Sequence, residues 1–186
     1  MMRSLAICVA LACTALTPAL GAQWNVDHTK SRLGFSVLWS GQRFDATFKS
    51  WKADIQFDPA DLAHSHANVT IDLDSEMSAE PDNDDGLKGA EGFATSQFPT
   101  ARFETTGFTA EGGNNYLATG RLSLHGVNKT VALPFVLTLA GNSAHVTGKA
   151  VVLRTDFGLG KGEWASAATI GHEVAINVDL TATKSR

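Results

Sequence analysis

The chemistry-bearing residues of this chain are few and poorly grouped. His64-Ser65-His66 places two imidazoles at i and i+2, which on a strand would share a face and could grip a metal ion. Its neighbours Asp61-Leu62-Ala63 and Ala67-Asn68 read as a surface connection, so solvated histidines are the simpler reading and no metal site is assigned. Asp82, Asp84 and Asp85 invite a calcium loop. With Gly86 in the sixth place of an EF-hand loop, however, Pro81 and Gly92 fall where carboxylates are needed. Asp156-Phe157-Gly158 spells a kinase triplet but lacks the glycine-rich loop, lysine strand and catalytic loop that give it meaning. The following Gly158-Leu159-Gly160-Lys161-Gly162 could turn backbone N–H groups toward an anion, with Lys161 adding charge. A turn between strands is the plainer reading, and Lys161 is the candidate contact for a polar ligand head. No serine sits in a nucleophile elbow, and His28, His64, His66, His125, His145 and His172 have no fixed acidic companions in sequence. No catalytic residue is assigned, and an enzyme would require a site assembled from distant positions.

The elements that would position any site are strands. Val174, Ile176, Val178 and Leu180 alternate with Glu173, Ala175, Asn177 and Asp179, giving one dry and one wet face. Val69, Ile71 and Leu73 repeat the pattern, as do Leu33, Phe35, Val37 and Trp39, then Phe44, Ala46 and Phe48, then Ala53, Ile55 and Phe57. Further strands are expected over residues 102–109, 116–124, 130–139 and 145–153, separated by clusters rich in Gly, Asn and Ser. About eight strands joined by hairpins leave edges that closure into a barrel removes, and a two-sheet sandwich is the competing architecture. Residues 78–99 break the rhythm. They predict one or two helical turns in a long crossing loop, with Leu87, Phe93 and Phe98 free to cover one end of a barrel as a lid.

Residues 1–22 have one positive charge, an apolar run too short to span a bilayer, Pro18 and a small-residue stretch, the pattern of a cleaved signal peptide. A lipoprotein cleavage site at Cys13 is the rival reading, with Ala10 where a bulkier aliphatic is expected. Cys8 and Cys13 both lie in this segment, so residues 23–186 form one domain without thiols, disulfides or cysteine nucleophiles. Removing Arg3 takes the net charge from -4 to -5, and no run of Lys or Arg exists to meet a phosphate backbone, so nucleic acid is not expected as a partner. No segment is expected to span a membrane. The long apolar row of Val131, Leu133, Phe135, Leu137 and Leu139 has Ala132, Pro134 and Val136 opposite, and that second face suggests a homodimer.

From Trp24 to about Thr183 the chain resembles the YceI-like family. The likeness runs through Trp24-Asn25-Val26-Asp27, Phe57-Asp58-Pro59, and Asp84 with Leu87 followed by Phe93 and Phe98-Pro99-Thr100-Ala101-Arg102-Phe103. It continues through Gly126-Val127, Leu133-Pro134-Phe135, Arg154-Thr155-Asp156-Phe157-Gly158 and Gly171-His172-Glu173-Val174. The chain departs from the family's pattern at Leu38-Trp39-Ser40, Ala46, Asn83 and Gly86, positions that bear on polar contacts more than on an apolar channel. The resemblance implies an all-β, antiparallel lipocalin-like barrel located in the periplasm and binding a polyisoprenoid or similar amphiphile; the short helical lid is read from residues 78–99, and no cofactor is required. The wall residues assigned on the apolar rows are Phe35, Val37, Phe48, Ile55, Phe57, Val69, Ile71, Leu87, Phe93, Phe98, Phe103, Leu122, Leu133, Phe135 and Ile176, with Lys161 at the head. A non-catalytic module whose core is filled by its own side chains is the alternative.

Overall fold

The computed structural model describes residues 22–185, so the signal-peptide and lipoprotein readings of residues 1–22 lie almost wholly outside the described residues. Period-two sequence becomes eleven strands: β1 (Gln23–Val26), β2 (Arg32–Trp39), β3 (Gln42–Phe48), β4 (Trp51–Gln56), β5 (His66–Asp72), β6 (Glu76–Met77), β7 (Thr100–Gly112), β8 (Asn115–Leu124), β9 (Val127–Ala140), β10 (Ser143–Leu153) and β11 (Ile170–Lys184). Among the described residues one α-helix, α1 (Pro81–Lys88), stands in the segment expected to break the rhythm. Pro81 opens it, where a missing N–H costs nothing and the fixed φ is already helical.

Neighbouring strands are antiparallel throughout, and β1–β4–β5–β7–β8–β9–β10–β11 closes on itself through the β1–β11 pairing, an eight-stranded barrel. Closure removes the sheet edges that a sandwich would leave. The ring is not uniform along its length. The C-terminal end of β11 pairs with β1, from Trp24↔Lys184 to Val26↔Ala182, and the longer stretch before it pairs with β2 from Ile170↔Trp39 to Asp179↔Arg32. Thus β1 completes the upper end, which bears the first and last described residues, while β2, β3 and β6 extend the wall at the lower end. Tight turns serve this geometry where the backbone must run left-handed: Ser40-Gly41 and His125-Gly126 both have positive φ at both residues, the type I′ conformation that matches strand twist.

The apolar rows face inward as expected. Phe35, Val37, Phe44 and Ala46 are buried with Leu73, Leu87 and Phe93 at the lower end, and Trp24, Phe57, Tyr116, Phe135 and Leu137 are buried at the upper end. Leu87 and Phe93 therefore belong to the core that closes the lower end, because they pack in the same cluster as Phe35. On β9 the inward row ends before Leu139, which is 47% exposed, and on the opposite face Val136 is 42% exposed.

Candidate functional site

The barrel interior holds two chambers. The upper one, about 180 Å³, is walled by Trp24, Trp51, Ile55, Phe57, Phe108 and Phe135 among others. The lower one, about 120 Å³, lies between Phe35, Phe48, Leu87, Phe93, Leu159 and Trp164. Leu33, Ile71, Leu122 and Ile176 line both, forming a shared waist. Together the chambers reach the lower end of the range for small-ligand sites, about 300 Å³.

Of the wall residues assigned from sequence, Ile55, Phe57, Val69, Phe103, Leu133 and Phe135 line the upper chamber, Phe35, Val37, Phe48, Leu87 and Phe93 line the lower one, and Ile71, Leu122 and Ile176 stand at the waist between them. Phe98 and Lys161 are elsewhere. Phe98 packs its ring on His125 at 4.5 Å, and the adjoining Gly126 leaves it space, since a Cβ there would approach the ring to 3.0 Å. Lys161 is exposed and precedes the 3-10 turn Gly162–Ala165. The glycine turn around it does the opposite of cradling an anion: the carbonyls of Leu159 and Gly160 converge on the Arg154 guanidinium at 2.9 and 3.2 Å. Trp24, Leu33, Trp51 and Trp164 line the chambers but were not assigned to the site, although Trp24 and Leu33 begin strand patterns visible in sequence.

The upper end is sealed by aromatic packing. Phe57 meets Phe108 and Tyr116 edge-on at 5.0 and 5.5 Å, and Tyr116 stacks on Phe135 at 5.5 Å. The Trp24 indole donates to the Phe57 carbonyl at 2.9 Å, tying the loop after β4 onto β1. Such pairs add roughly 0.5–1.5 kcal/mol each beyond their burial.

The lower end contains buried charge. Arg154, 5% exposed, donates to the carbonyls of Gly171, Leu159, Gly160, Trp164 and Ile170, and desolvation lowers its pKa from the usual arginine value. Five carbonyls thus replace water around one cation and fold residues 159–171 over the barrel end. Asp84, on α1, accepts from the Ser78 N–H at 3.0 and 3.1 Å and from the Ser78 hydroxyl, pinning the chain that leads into the helix. Glu76, on β6, is 2% exposed and neither carboxyl oxygen has a hydrogen-bond partner within the protein. Burial first and the Asp84 charge second push its pKa up to about 7, against an opposing pull from Lys88.

The chamber walls are almost entirely carbon. Thr105 is the polar residue of the upper chamber, and its hydroxyl is engaged with the Ala67 backbone at 2.8 and 3.2 Å. Glu91 and Arg154 border the lower chamber. The histidine pair expected to be a surface feature is one: His64 lies in a 3-10 turn with Asp61 2.8 Å away, and His66 begins β5. Among the described residues, no three His, Cys, Asp or Glu side chains gather as metal ligands.

Comparison with known proteins agrees with this arrangement. The model of the YceI-like domain matches residues 24–182. The chain belongs to the YceI-like family. A crystal structure of Burkholderia cenocepacia BcnA shares 30% identity and superposes with a TM-score of 0.82, covering 86% of this chain and 100% of that one. A UPF0312 protein of Photorhabdus laumondii is 32% identical over 118 residues, 62% of this chain and 61% of the relative. The chain thus matches under two thirds of that relative's length. A polyisoprenoid binding domain from Saccharophagus degradans, implicated in plant cell wall breakdown, has a TM-score of 0.66 at 17% identity, covering 90% of this chain and 100% of that domain, and shares the fold.

Proposed function

We propose that this YceI-like protein is a carrier or sequestering protein that holds a long, slim apolar chain of the polyisoprenoid kind inside its barrel. The observation that carries the proposal is the pair of chambers sharing a carbon waist. A wall that is almost entirely carbon selects a guest by burial, at about 0.8 kcal/mol per methylene before ordering costs. Membership of the YceI-like family and structural likeness to a polyisoprenoid binding domain support the same reading. The role is binding without catalysis and needs no cofactor. The leader-like residues 1–22 support export to the periplasm, and exposed Val136 supports pairing of two copies, which sedimentation at micromolar concentration tests.

Titration with a long-chain polyprenol tests the proposal, because Trp24 and Trp51 line one chamber and Trp164 the other. Saturable changes in indole fluorescence are the expected result. The aromatic seal of Phe57, Phe108, Tyr116 and Phe135 favours a second reading, a structural module that fills its own core. No uptake of polyprenol or of any shorter amphiphile would decide for that module.

A further inference from the structure

The barrel wall is not hydrogen-bonded all the way along. β9 pairs with β8 over residues 127–136, from Leu124↔Val127 to Asn115↔Val136, and β10 pairs with β11 over its length, from Ser143↔Thr183 to Leu153↔Glu173. Between β9 and β10, however, pairing stops at Gly148↔Phe135. Below that pair, residues 127–134 and 149–153 face each other as two strand edges without a shared ladder. Pro134 accounts for the break. The Leu137 N–H donates to Asn114 on the β8 side, so by alternation the nitrogen of residue 134 turns toward β10, where proline has no hydrogen to give.

Side chains fill the seam instead. Phe157, 1% exposed, packs with Val131 of β9 and Ala150 of β10, and on its inner side it borders the lower chamber. It ends a 3-10 turn at Gly158, whose φ of 70° lets the chain reverse. At the head of the seam lies an open groove of about 530 Å³ formed by Pro134, Phe135, Gly148 and Lys149 among others, and Phe135 and Val178 also line the upper chamber. Beside the seam, Val136, Val151 and Leu153 are 42%, 57% and 43% exposed.

We propose that the seam between β9 and β10 is the passage through which an apolar chain enters and leaves the barrel, with Phe157 as its plug. The proposal rests on the cavity reading above. Parting the seam breaks no backbone ladder, whereas parting any fully paired neighbouring strands breaks several hydrogen bonds at once. The exposed apolar side chains beside it give a sliding chain contact on the way in.

Retinol, a slim isoprenoid alcohol whose fluorescence rises in apolar surroundings, serves as the probe, with its release to phosphatidylcholine vesicles followed in time. Phe157→Ala is expected to speed release about tenfold, an effect on off-rate. Because that variant removes a fully buried ring, a second one guards the test. Ala132→Cys with Val151→Cys, in a Cys8→Ser/Cys13→Ser background, places thiols opposite one another when the β9–β10 register is extended. Joining them with a flexible bismaleimide is expected to slow release about tenfold at unchanged retinol capacity. Unchanged release after cross-linking, with retinol still bound, overturns the passage alone. Absence of binding of both retinol and polyprenol by the wild-type protein overturns the cavity reading and the passage with it.

Discussion

The two ends of the barrel close by different physics. The upper end is shut by rings packed on rings, with Phe57 at the centre of Phe108, Tyr116 and Phe135. The lower end is shut by chain that is mostly not strand, held through Arg154 and Asp84, and it buries Glu76 without a hydrogen-bond partner. Apolar packing is indifferent to pH and tolerates neighbours of similar volume. Buried charge is not indifferent, because each unpaired group carries a desolvation cost that proton binding can relieve. The upper end is therefore a wall of packed rings, while the lower end carries one titrating carboxyl, that of Glu76.

Truncation separates the two most strongly. Phe57→Ala should lower stability by about 3–5 kcal/mol, read from urea unfolding, with the same loss at acid and neutral pH. Arg154→Ala should cost at least about 3 kcal/mol, since five carbonyls lose their donor at once, and should loosen residues 159–171 in hydrogen exchange while the upper strands stay protected. Loss of protection at both ends together would show that the barrel opens as one unit.

A smaller effect sharpens the contrast through Glu76. Its folded pKa of about 7 lies above the ordinary 4.5, so between those values the folded protein holds more proton than the unfolded chain. Stability must then fall as pH rises from about 4.5 to about 7, by roughly 3 kcal/mol at most, and level off above. Glu76→Gln should flatten this slope and raise the unfolding midpoint at about pH 8 relative to wild type. A slope that survives the substitution would move the titration to another group. At the small end of the scale, Asp179→Asn removes a 2.8 Å contact with His145 in which both side chains are about half exposed, and should change stability by less than about 1 kcal/mol.

Strand positions, inward faces and the interrupting helix were readable because period-two and turn chemistry are local signals. The row Val174, Ile176, Val178 and Leu180 needs only alternation to reveal a wall, and residues 78–99 needed only its absence. What was hidden depends on contacts distant in sequence. An arginine in Arg154-Thr155-Asp156 reads as solvent-facing until carbonyls up to Gly171 wrap it. Glu76 sits beside Met77, which is 44% exposed, and no pattern marks Glu76 as buried. Lys161 was the candidate for the ligand head because its glycine-rich turn could have aimed N–H groups at an anion, whereas the carbonyls of that turn converge on a buried guanidinium. Pro134 was visible as part of the outer face of its strand, and the register of both neighbours is needed to show that unpaired edges face each other inside the wall.

The central claim is that the carbon-walled interior exists to hold an apolar chain. Its most direct test is mass spectrometry of lipid extracted from protein purified gently out of a membrane-containing host, with Phe135→Arg and Asp179→Asn prepared in parallel. Phe135 lines the upper chamber and is 8% exposed, so a charge there cannot coexist with an apolar guest, whereas Asp179 lies outside both chambers. The account expects a single class of long-chain amphiphile with the wild-type and Asp179→Asn proteins and none with Phe135→Arg. Wild-type protein that carries no amphiphile and takes up none when polyprenol, quinone or fatty acid is added would contradict it.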